Sequence, residues 1–70
     1  MNMELRAARK SSGKTQAQVA KEADISERTY QQYEYEQQEP KVRAAIQIAK
    51  ALGSTVEKLF GEQDKHDTER

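Results

Sequence analysis

Glu27, Arg28, Gln31, Gln32 and Tyr35 fall on one side of a short helical stretch whose other side carries Ile25, Tyr30 and Tyr33. The polar set suits hydrogen bonding to the edges of base pairs. An arginine donates two hydrogen bonds to guanine, a glutamine pairs bidentately with adenine, and a glutamate accepts from the amino group of cytosine. Arg28 and Gln32, one helical turn apart, lead this set, with Glu27 beside them. Glu27 also repels phosphates and so narrows where the helix can dock. Upstream, Gln16 opens another helical stretch, where its side-chain amide and the free backbone amides both point at anions and can clamp a phosphate. Lys14 and Thr15 stand next to it, and Thr15 also suits plain capping. A solvated polar face is the alternative account of these residues.

Other constellations carry less chemistry. Arg9 and Glu34 form a candidate structural ion pair that would tie the first helix to the third, of little worth if exposed. Tyr30 and Tyr33 could stack on bases, but their helical spacing with Ile25 assigns them to a core. Tyr35 is expected to be exposed, with a hydroxyl able to reach a phosphate. His66 stands alone, and no Ser/His/Asp set, phosphate-cradling glycine loop or carboxylate pair is present. The chain reads as no enzyme, with no cofactor, no metal site and no small-molecule ligand.

The elements that must position these residues are short helices. Residues 16–33, QAQVAKEADISERTYQQY, accommodate two of them around a three-residue hinge. Val19, Ala20, Ala23, Ile25, Tyr30 and Tyr33 are their apolar or small positions. Ala20 allows close approach of the two helices, and Asp24 at the hinge tolerates positive φ better than most residues other than glycine. This is the pattern of a helix-turn-helix, whose second helix can enter the major groove of DNA.

Three more helices complete the expectation. The first runs from Met3 to Ser11, buries Leu5 and Ala8, and stops at Ser12-Gly13. Thr15 and Gln18 make a T-x-x-Q capping box for the second, and Ser26 is the expected N-cap of the third, which runs through Tyr33 toward Glu36. Pro40 closes the loop that follows. A fourth helix, Lys41 to Leu52, is expected to bury Val42, Ala45, Ile46, Ala49 and Leu52, with Gly53 ending it. Ser54 and Glu57 form an S-x-x-E box for a short fifth helix carrying Val56, Leu59 and Phe60. The domain is set at residues 1–61, and residues 62–70 are too polar to pack and are read as a flexible tail. The expected fold is all-α, a compact five-helix bundle.

Seventy residues make one small domain, which buries only about 60% of its unfolded surface. Hydrophobic and charged residues each make up 34% of the chain, so the core is small and dimerisation could add stability. The absence of cysteine fits a reducing cytoplasm, and neither a signal peptide nor a membrane-spanning run is evident. The formal net charge is zero, but its distribution is uneven. Residues 1–21 carry five basic side chains against Glu4, a net +4, whereas residues 61–70 carry four acidic against two basic, a net −2. This permits a phosphate-facing patch at the basic end, or simply two solvated faces.

The run from Leu5 to Phe60 resembles the Cro and phage-repressor type of helix-turn-helix domain, also called the xenobiotic-response-element (XRE) family. LRAARKSSGKTQAQVA is similar to its opening, DISERTYQQYE to its turn and recognition helix, and EPKVRAAIQIAKALGSTVEKLF to its last two helices. The resemblance covers about four-fifths of the chain and implies a lambda-repressor-like bundle with an Arg9–Glu34 pair. It implies base contacts at Glu27, Arg28 and Gln32, and backbone contacts at Gln16 and Tyr35, with Ser26 beside them; Thr15, next to Gln16, is added to the backbone set from its place at the helix start. It further implies a homodimer on a palindromic double-stranded DNA operator, with Leu59 and Phe60 at the dimer surface. The chain departs from the family pattern at three places. Asp24 replaces the hinge glycine, Tyr35-Glu36 replaces an Asn-Gly pair so that the loop to Pro40 is expected to differ, and Ser54 replaces an apolar residue.

The expected function is therefore a sequence-specific, repressor-like transcriptional regulator. The alternative is a protein-interaction module or antitoxin-like accessory factor that uses helices four and five. Neutral net charge, Glu36 and Glu39 favour the alternative; Gln16, Arg28 and Gln32 favour DNA.

Overall fold

The computed structural model describes residues 1–61 and contains five helices: α1 (Met3–Ser11), α2 (Gln16–Glu22), α3 (Glu27–Glu34), α4 (Val42–Leu52) and α5 (Val56–Phe60). The chain beyond residue 61, with His66 and the expected tail, lies outside the described residues. Side-chain caps start four of these helices. Asn2 accepts from the Leu5 amide, Ser26 from Thr29, and Thr55 from Lys58, each satisfying a donor that has no partner within its helix. Thr15 and Gln18 form the complete reciprocal capping box.

The first four helices end in the same way. One residue turns left-handed, its N–H bonds back three residues, and the next N–H reaches back five, which is the Schellman motif. Gly13 and Gly53 take that position after α1 and α4, at φ 71° and 64°. Asp24 and Glu36 take it on either side of the recognition-type helix α3, at φ 62° and 60°. Ile25 N donates to Ala20 O at 2.9 Å and Gln37 N to Gln32 O at 2.8 Å, closing the two turns. The exchange of Asn-Gly for Tyr35-Glu36 therefore does not abolish the tight turn, because Glu36 adopts the left-handed conformation despite its Cβ.

Packing selects the faces. Leu5, Val19, Ala20, Ala23, Tyr30, Tyr33, Ala45, Ile48, Ala49, Leu52, Leu59 and Phe60 form one core, with Ala8, Ile25 and Val56 packed against it. α2 lies between α3 and α4, while α1 meets α3 and α5. Ala20, only 2% exposed, lets α2 approach its neighbours closely.

The buried face of α4 differs from the expectation. Val42 is 75% exposed and Ile46 42% exposed, whereas Ile48 is fully buried. The sets 42/45/46/49 and 45/48/49/52 share the same three-and-four spacing, so periodicity does not choose between them. Contact with α2 and α5 does. The start of α5 is corrected as well: Thr55, not Ser54, is the N-cap, because the Ser54 N–H is held by Ala49 O in the turn that ends α4.

Candidate nucleic-acid interface

Seven backbone hydrogen-bonded residues of α2, the Asp24 turn and the eight of α3 hold the polar residues of interest in one region. Beneath them lies the Glu34 carboxylate, 1% exposed. It accepts from Arg9 Nε at 2.7 Å and Tyr30 Oη at 2.7 Å on one oxygen, and from Gln16 Nε2 at 2.9 Å and Arg9 Nη2 at 3.3 Å on the other. Arg9 Nη1 also donates to Lys14 O at 3.1 Å. A charge this deep is tolerable only when paired and fully hydrogen-bonded, and here it is both. Burial pushes the Glu34 carboxyl up, but the hydrogen bonds from Arg9, Tyr30 and Gln16 outweigh it and hold the group below the usual carboxylate range. The hydrogen bond to Glu34 raises Arg9 further. Burial and the neighbouring carboxylate push the Tyr30 phenol up.

The Arg9–Glu34 pair is thus buried and central, joining α1 to α3, and Gln16 and Tyr30 belong to the same cluster. Tyr30 is fully buried and Tyr33 is 7% exposed, which excludes both from stacking on bases.

The outer side of α3 is open. Glu27 and Arg28 are exposed, Gln31 and Gln32 are half-buried, and Tyr35 is 47% exposed. Arg28, Gln32 and the Tyr35 hydroxyl have no hydrogen-bond partner among the described residues, so their donors are free. Gln16 is half-buried at the start of α2; one amide proton goes to Glu34 and the other is available. The Thr15 hydroxyl accepts from the Gln18 amide and keeps its own proton for another acceptor. Ser26 is more committed, since its Oγ accepts from Thr29 N and donates to Thr29 Oγ1 at 2.9 Å. Lys14 is turned away from the start of α2. Its Nζ donates to Glu22 Oε1 and to Ala51 O, both at 2.7 Å, and so caps the end of α4.

A family model described as Helix-turn-helix matches residues 5–59. The chain belongs to this helix-turn-helix family. No curated protein and no solved structure gives a match. The match is to the DNA-binding helix-turn-helix class of the XRE type, and the domain is all-helical as that class requires. No helix among the described residues is long and apolar enough to cross a membrane, and no cluster of His, Cys, Asp or Glu among them could hold a metal.

Within this helix-turn-helix domain, Leu59 and Phe60 do not offer the dimer surface expected of them. They are 3% and 7% exposed and belong to the core, where α5 seals the bundle against α1 and α4. One residue, Asn2, and one link, from Gln31 to Gln16, escaped the sequence. Asn2 caps α1, donates through Nδ2 to Leu59 O at 2.9 Å, and donates through its backbone N–H to Glu34 O at 2.8 Å. Asparagine just before a helical stretch was the available signal. Gln31 donates to Gln16 Oε1 at 3.2 Å across the two helices, a link that no local pattern announces.

Proposed function

We propose that this helix-turn-helix domain is a sequence-specific, repressor-like transcriptional regulator that reads the major groove with α3. Glu27, Arg28 and Gln32 contact bases, and Gln16, Thr15, Ser26 and Tyr35 contact the DNA backbone. The single observation that carries this reading is the open face of α3, where Arg28 and Gln32 keep their donors free above a buried cluster that fixes the helix. Unpaired donors on a rigid helix are what base-edge recognition needs, because the backbone that carries them is already ordered and only side-chain freedom is lost on binding. A homodimer on a two-fold symmetric operator belongs to the proposal, through surfaces other than the Leu59 and Phe60 side chains.

A second reading, a protein-interaction module of antitoxin-like type, draws on one observation: Val42 and Ile46 leave apolar surface on α4 uncovered. Selection of bound sequences from random DNA separates the two. A two-fold symmetric consensus, bound with an affinity that falls steeply with salt as counterions leave the phosphates, supports the regulator. No enrichment would sink it and favour the interaction module.

A further inference from the structure

The hydrogen bonds around Gln16 have a direction. The ionised Glu34 carboxylate can only accept, so the Gln16 amide must turn its Nε2 inward, 2.9 Å from Glu34 Oε1. Gln16 Oε1 is thereby turned toward α3, where it accepts from Gln31 Nε2 at 3.2 Å. That nitrogen also faces Glu27 Oε2 at 3.5 Å, the loose end of the row. With its Nε2 turned toward Gln16 and Glu27, Gln31 presents its Oε1 to an outside partner, and that atom is an acceptor. A surface glutamine ordinarily presents either end of its amide. Here the buried carboxylate removes the choice.

We propose that Gln31 is a positioning residue, which holds Glu27 and Gln16 in one polar row and makes the edge of α3 formed by Glu27 and Gln31 an acceptor surface selecting an exocyclic amino group of cytosine or adenine. This rests on the DNA-reading function proposed above and assigns part of its specificity. Arg28 and Gln32 can donate to base edges, whereas the row from Glu34 through Gln16 and Gln31 to Glu27 ends on oxygens. Bases that offer only acceptors in the major groove, guanine above all, are disfavoured opposite that row.

The test uses the full chain and Gln31→Met, which keeps side-chain length and helix preference while removing donors and acceptor. The first readout is the side-chain amide resonance pair of Gln16 in the free protein. It should shift in Gln31→Met while the thermal midpoint stays nearly unchanged, and an unshifted pair would overturn the row whatever DNA does. The second readout uses duplexes carrying the selected consensus, with exocyclic major-groove amino groups replaced by hydrogen one at a time. At one base pair the unmodified protein should lose roughly fivefold to tenfold in affinity. Gln31→Met should lose that discrimination alone, and Gln31→Met combined with Glu27→Ala should lose no more. Additive losses would make Gln31 an independent contact, and equal weakening on all duplexes would make it merely structural; either overturns the proposal. If no sequence is enriched while the amide pair shifts, the DNA-reading function itself has failed and the base-selecting role falls with it.

Discussion

Replacing Glu34 by alanine tests whether the buried cluster holds the bundle together. The substitution leaves four donors facing a small void: Arg9 Nε and Nη2, Tyr30 Oη and Gln16 Nε2. Gln16 can turn to water and Arg9 can do so in part, but Tyr30 is fully buried and cannot. Removing one member of a buried, hydrogen-bonded pair costs about 3–5 kcal/mol, most of it the desolvation of what remains. A domain of this length has roughly 4–10 kcal/mol in total. Glu34→Ala should therefore remove about a third or more of the stability and lower the melting point by at least about 12 °C. Urea unfolding followed by far-UV circular dichroism measures it. Combining the change with Arg9→Met should restore part of the loss, because the orphaned guanidinium goes with its partner. A loss below about 1 kcal/mol in Glu34→Ala, or losses that simply add in the double variant, would refute the reasoning.

Acid should act through the same group. The folded Glu34 carboxyl titrates below its unfolded value of about 4.3, so its contribution is complete above that pH and disappears as pH falls through the lower folded value. Urea midpoints should fall on acidification toward pH ~3, and less steeply in Glu34→Ala; equal slopes would count against the assignment. Glu36→Gly relieves a left-handed residue with a Cβ and should raise stability by about 1 kcal/mol, measured by thermal unfolding, whereas a drop would show that the turn gains from the side chain. Arg28→Ala should cost about 1–3 kcal/mol in binding to the selected DNA and relax preference at one base pair, as titration on single-base variants would show. Equal loss on specific and random DNA would reject its base-reading role.

Much of the fold was legible because its signals are local. The Thr15–Gln18 box, the Ser26 cap and positive φ at Asp24 depend on residues within one turn of one another, and each stands where the sequence placed it. The open face of α3 was legible for the same reason, since Tyr30 and Tyr33 could not both be buried without turning Arg28 outward. The faces of α4 and α5 were not. Val42 looked as suitable for burial as Ile48, and Ser54 as suitable a cap as Thr55, until contact with other helices chose between them.

The sequence by itself determined five short helices, the Thr15 and Ser26 caps, the Asp24 turn, the helix-turn-helix pairing of α2 with α3, and the polar set carried by α3. These follow from backbone chemistry and helical period, which act over three or four residues. Tertiary structure decided which side of α4 is covered, that Leu59 and Phe60 are spent in the core, and that Glu34, expected to pair with Arg9, is buried and gathers Gln16 and Tyr30 as well. Hydrogen bonds such as that from Gln16 to Glu34, 18 positions apart, have no local signature. They exist because packing brings the helices together and then leaves every buried donor and acceptor in need of a partner.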